Sequence, residues 1–130
     1  MNSYDFIIYK PKSIRDRYYT SVSSFKELKA EVGCLRAIIS VIALLILDFD
    51  AITLYPYIIA TKPIFDFLFR HEYVHILQQK EDGLFKFCVR YIWEFFKNFF
   101  FNKETRFDFE ESYWNISYEV EARKFVESDA

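Results

Sequence analysis

The chain has 130 residues and a formal net charge of −2, with 52% hydrophobic and 28% charged residues. That length fits one domain, 1–130, the composition excludes a globally disordered chain, and the charge offers no basic footprint for nucleic acid. Aromatic residues reach 22% against only 2 Gly and 3 Pro, which points to long, mostly helical elements with short joints.

Tyr4–Tyr9 reads as a first strand, stopped by Lys10-Pro11. The acidic start lacks the basic n-region of a secretory signal, and two cysteines, Cys34 and Cys88, make no disulfide framework. A cytoplasmic-type protein is therefore expected. Arg15-Asp16-Arg17 reads as solvated surface. Ser24-Phe25-Lys26-Glu27 has capping-box spacing and opens a short helix ending near Gly33. Arg36–Leu47, rich in Ile, Val and Leu, reads as a buried strand; its apolar run from Ala37 is too short for the roughly 20 residues of a spanning helix. Asp48-Phe49-Asp50 is expected to turn the chain into a second strand, Ile52–Ala60, giving an antiparallel hairpin.

Pro63 suits a first helical turn, and the pattern predicts a helix from Pro63 to Asp82 with Gly83 as its stop. A second helix follows over Leu84–Phe101. Its polar residues, Lys86, Arg90, Glu94 and Lys97/Asn98, form one narrow stripe on an otherwise apolar surface. After a polar joint, Asn102–Glu111, a last helix spans Ser112–Glu127. The expected class is α+β: a short antiparallel sheet of about three strands packed on a central helix with two or three more.

Both histidines fall in one string, His71-Glu72-Tyr73-Val74-His75. Residues four apart share a helix face, so the two imidazoles can bind one metal ion while Glu72, beside that face, can take a proton from water. Random ordering of this composition yields such a string roughly once in 800 trials, which sets it apart from an accidental motif match. A catalytic zinc centre needs a third protein ligand. Cys88 lies in the apolar helix and reads as a small packing residue. The remaining donors are carboxylates, and Glu119, 44 positions after His75, stands out. It shares a face with Asn115, Ile116, Ala122 and Arg123, and the small Ala122 lets two helices approach closely. Glu121, which shares a face with Ser117, Tyr118, Lys124 and Phe125, is the alternative third ligand.

His71-Glu72-x-x-His75 with Glu119-x-Glu121-Ala122 downstream resembles the gluzincin branch of zinc metallopeptidases, in which a glutamate on a later helix completes the zinc site. The longer string Arg70–Gln79 and the segment Asn115–Ala122 also resemble small bacterial and phage proteins regarded as minimal zincins. The resemblance covers about residues 52–125. It implies a zincin-like fold, Zn2+ held by His71, His75 and Glu119, Glu72 as general base, and a peptide or protein substrate. It also implies that Ile52–Tyr57 forms the sheet edge past the cleft. Many gluzincins have an acidic residue four positions after the third ligand; here Arg123 stands there and cannot accept a histidine N–H bond. Asp108, Glu111, Glu121 or a backbone carbonyl must then orient the histidine.

The expected activity is peptide-bond hydrolysis, with Tyr113, Tyr118 and Arg123 as candidate oxyanion stabilisers on the same segment. The rival is a non-catalytic zincin-like module acting through its aromatic helix, 84–101, on a protein partner, a second copy or a membrane surface. Packing of that helix behind the metal helix is preferred over membrane contact, because large exposed apolar patches are rare on soluble monomers. Asn115-Ile116-Ser117 matches a glycosylation triplet and is read as plain helix sequence.

Overall fold

The computed structural model describes residues 5–128. It is an α+β protein, and its backbone contacts divide it into two compact units, residues 1–76 and 77–130, with the boundary inside one helix. Tyr4, the expected start of the first strand, lies outside the described residues.

The first unit is built on a four-stranded antiparallel sheet. Its strands are β1 (Phe6–Tyr9), β2 (Tyr19–Val22), β3 (Ala51–Leu54) and β4 (Tyr57–Ala60), in the order β2-β1-β4-β3. β1 is central and fully buried, so its alternate side chains feed two cores. Phe6 and Ile8 join Val22 and Ile59 under α1 (Phe25–Val32) and α2 (Cys34–Val41), meeting Leu28, Val32 and Ala37. Ile7 and Tyr9 join Ile58 and Ala60 on the other face, against Phe69 and Ile76 of α3 (Asp66–Asp82). The Tyr9 ring meets Phe69 edge-on, and its hydroxyl accepts the Ile64 N–H just before α3.

The capping box forms largely as expected: the Ser24 hydroxyl accepts the Glu27 N–H, and the Glu27 carboxylate accepts the Ser23 N–H. Gly33 ends α1 at φ +94°, a backbone state that costs a residue with a Cβ. Arg36–Leu47, however, is helical rather than a strand. α2 runs into a π-helical turn, Ile42–Ile46, closed by the Leu47 N–H on the Ile42 carbonyl. Its inward residues are the small Ala37, Ser40 and Ala43 with Leu44, while Leu35, Ile38, Ile42 and Ile46 face outward. Most of the large apolar side chains that suggested a buried strand are thus exposed. The expected Ile52–Ala60 strand is itself a hairpin, β3 and β4, folding at a cis Tyr55–Pro56 bond; proline has no N–H for a strand ladder. The sheet therefore has four strands rather than three, with β2 an addition.

α3 starts at Asp66, three residues after Pro63, and ends at Asp82, with the Gly83 N–H closing onto the Gln79 carbonyl. The second unit holds the last turns of α3 with α4 (Leu84–Phe100), α5 (Phe109–Trp114) and α6 (Ser117–Ser128). The single last helix expected from the sequence is broken at Asn115-Ile116. Glu94 fastens the start of α6, its carboxylate accepting both the N–H and hydroxyl of Ser117. Asn98, Thr105 and Ser112 tie α4 to α5: the Asn98 amide donates to Ser112 O, Thr105 donates to Asn98 O, and Ser112 donates to Thr105 O. α4 departs from expectation in part: Lys86, Arg90 and Lys97 of its polar stripe are exposed as expected. Glu94 and Asn98 of its polar stripe face the protein, and much of its apolar surface faces solvent. Among the described residues, no helix is long and apolar enough to cross a membrane.

Candidate metal site

In the first unit, His71 and His75 lie one turn apart on α3. Their ring centroids are 5.0 Å apart and nearly perpendicular, so both imidazoles sit on one face. His75 is buried and His71 half-buried, an arrangement that leaves one side of the pair accessible. Glu72 is 7% exposed. Its carboxylate accepts a 2.6 Å hydrogen bond from the hydroxyl of Thr53, which also donates to the Glu72 carbonyl at 3.2 Å. Thr53 lies on β3, the edge strand, opposite Ile58. The edge strand and α3 are thus joined at Glu72, the base expected from the sequence.

In the second unit, Glu119 sits in the first turn of α6 and is 2% exposed. The Tyr91 hydroxyl, from α4, donates to its Oε1 at 2.9 Å. Burial first, then the Glu119 carboxylate, pushes the Tyr91 hydroxyl far above its ordinary range, so it stays a donor. Further along α3, Gln78 donates to both the Tyr118 carbonyl and the Glu121 carboxylate. Asp82 accepts the Tyr118 hydroxyl at 2.6 Å. The last turns of α3 thereby hold the first turn of α6 from which Glu119 projects.

His71, His75 and Glu119 each offer one ligand atom with which they could hold a metal ion. Two imidazole nitrogens and a carboxylate oxygen are a donor set that suits zinc in a catalytic rather than a closed structural site. Glu121 is outside this group: it is exposed and bonded to Gln78. Cys88 packs with Phe87, Ile116 and Tyr118, and burial raises its thiol, which opposes a thiolate ligand.

The candidate oxyanion stabilisers are placed as follows. Tyr118 stacks on Phe87 and is bonded to Asp82; burial and that bond raise its hydroxyl to about 12. Tyr113 meets the Tyr91 and Trp114 rings edge-on. The Arg123 guanidinium lies 4.3 Å over the Trp114 ring. Of the candidates for orienting a histidine, Asp108 caps α5 and Glu121 holds Gln78, while Glu111 is exposed with its carbonyl on Asn115. Two residues bonded to the candidate site residues carried no motif: Thr53 and Tyr91.

No protein-family model, curated protein or solved structure matches this chain. The chemistry of the site therefore rests on its own residues.

Proposed function

We propose that the chain is a zinc-dependent metallopeptidase of gluzincin type, acting on a peptide or protein substrate. The observation that carries it is the grouping of His71, His75 and Glu119 with Glu72 directly after the first histidine. His71, His75 and Glu119 would hold the metal. When bound, zinc supplies Lewis-acid polarisation of a carbonyl and makes water acidic enough to yield its proton near neutral pH. Glu72 takes that proton and passes it to the departing amine. Thr53 fixes the Glu72 carboxylate against rotation, and Tyr91 fixes that of Glu119. With both histidines committed to the metal, a second stabiliser of the oxyanion must come from tyrosine, arginine or backbone N–H groups. The free thiols of Cys34 and Cys88 suit a reducing, cytoplasmic-type compartment.

The test is zinc content per chain alongside hydrolysis of an unstructured protein such as casein. Wild-type chain should carry one zinc and show activity, His75→Ala and Glu119→Ala should lose the metal, and Glu72→Gln should keep it but lose turnover. Absence of zinc in the wild type refutes the proposal, as does retained turnover in Glu72→Gln. Loss of metal in Glu121→Ala but not in Glu119→Ala would reassign the third ligand. A second reading, a non-catalytic module that binds through α4, is favoured by one observation: the apolar surface of α4 lies in solvent. A zinc-loaded wild type without hydrolytic activity would support it.

A further inference from the structure

We propose that α4 is an interfacial helix that lays its outer face on an anionic lipid surface. Phe85, Val89, Ile92, Trp93, Phe96 and Phe100 are all exposed, Phe85 at 84% and Trp93 at 60%. At 100° per residue they fall within about 100° of arc, a single stripe along the full helix. Lys86 and Lys97, also exposed, with Arg90, which is paired with Glu94, occupy roughly the next 40°. Glu94 is the one acidic residue on α4, and its carboxylate is committed to Ser117 and Arg90. The outer face therefore combines aromatic side chains with a border of cations and no exposed acidic row.

Charge complementarity selects the occupant. Aromatic rings settle among acyl chains near the headgroups, while Lys and Arg beside them reach anionic headgroups. A second copy of this helix would instead bring an identical cation row to the same seam, with no acidic row on α4 to meet it. The chain as a whole carries a formal net charge of −2, so the positive border of α4 runs against the global balance. With 17 residues α4 lies on a bilayer rather than through it. This inference is independent of the metal site and holds whether or not the protein is a peptidase.

The test is partition of the full chain into phosphatidylcholine vesicles, with or without phosphatidylglycerol. It is read by co-sedimentation and by Trp93 emission in a Trp114→Phe background. The expected result is binding to anionic vesicles only, a blue-shifted Trp93, and weakening with salt. Phe96→Ser with Phe100→Ser should lower the partition at least tenfold. Lys86→Gln with Lys97→Gln should lower it roughly fivefold per cation removed. All variants should keep the wild-type circular dichroism, since these side chains are exposed. No partition, equal partition into both vesicle types, or partition unaffected by these substitutions overturns the proposal. A concentration-dependent dimer that the two Phe→Ser changes dissolve, without vesicle binding, would assign the face to a second copy instead.

Discussion

Tyr91→Phe removes one oxygen and no carbon, so it isolates the hydrogen bond to Glu119 from the packing of the ring. That bond is 2.9 Å long and ends on a carboxylate that is 2% exposed. Hydrogen bonds to charged groups contribute about 1.5–3 kcal/mol, and little water can replace the lost donor. Taking about 2 kcal/mol, and the entropy of unfolding typical of this chain length, the metal-free protein should melt roughly 7 °C lower. The holo form should show a second effect, because partners of metal ligands typically contribute 10–100-fold in affinity. Zinc dissociation constants by competition with a chelating dye, together with calorimetric melting of the apo and holo forms, measure both. Tyr113→Phe, which alters a neighbouring ring, serves as the control. If Tyr91→Phe melts within about 1 °C of wild type and binds zinc with unchanged affinity, Tyr91 does not orient Glu119, on the scale set by those magnitudes.

Thr53→Val keeps the β-branched shape on β3 but removes the donor to Glu72; zinc content should be unchanged while kcat falls about 10–100-fold, and a drop in metal content instead would show that Thr53 acts on the ligands. Asn98→Ala breaks the Asn98–Thr105–Ser112 network inside the second unit and should cost about 1–3 kcal/mol in urea unfolding with no change in zinc affinity. Glu94 supplies the pH prediction: burial would raise its carboxyl, but the Ser117 bonds and Arg90 outweigh it and hold the group below the ordinary carboxylate range. A folded-state value below the unfolded one stabilises the chain above that ordinary value, and the contribution is lost as pH falls through the lower folded one. Glu94→Gln should therefore destabilise the protein by about 1 kcal/mol near neutral pH and flatten this part of its acid sensitivity; a wild-type acid profile in the variant would contradict the assignment.

Where local chemistry dominates, residue types announced the structure. Ser24 and Glu27 fasten the start of α1, and Gly33 and Gly83 stop two helices, because caps and positive φ depend on few neighbours. The pairing of His71 and His75 likewise follows from helix geometry alone. Arg36–Leu47 misled because β-branched residues imply burial only when a partner surface exists for them. Ala37, Ser40 and Ala43, spaced by three, were the helical signal, and small residues mark a face that packs closely. Pro56 in the middle of Ile52–Ala60 was a second missed signal, since a continuous paired strand rarely holds one. α4 departed from expectation for a related reason: Glu94 and Asn98 looked like part of a solvated stripe, yet each carries hydrogen bonds that α5 and α6 need. Thr53 and Tyr91 could not be found from spacing, because their partners lie 19 and 28 positions away.

His71, His75, Gln78 and Asp82 follow one another along α3 at spacings of four, three and four, so a single stripe carries both histidines and both residues that hold α6. Inserting or deleting one residue anywhere between them would swing everything beyond it by about 100°. Substitution at the exposed Leu77, Lys80 or Glu81 leaves that phase intact. A π-helical turn differs from an α-helical one by a single residue, so Ile42–Ile46 is a place where the chain can lose one without unravelling its backbone ladder. Over evolutionary time, length should drift at the π turn and stay frozen from His71 to Asp82, even where the side chains between are free to change.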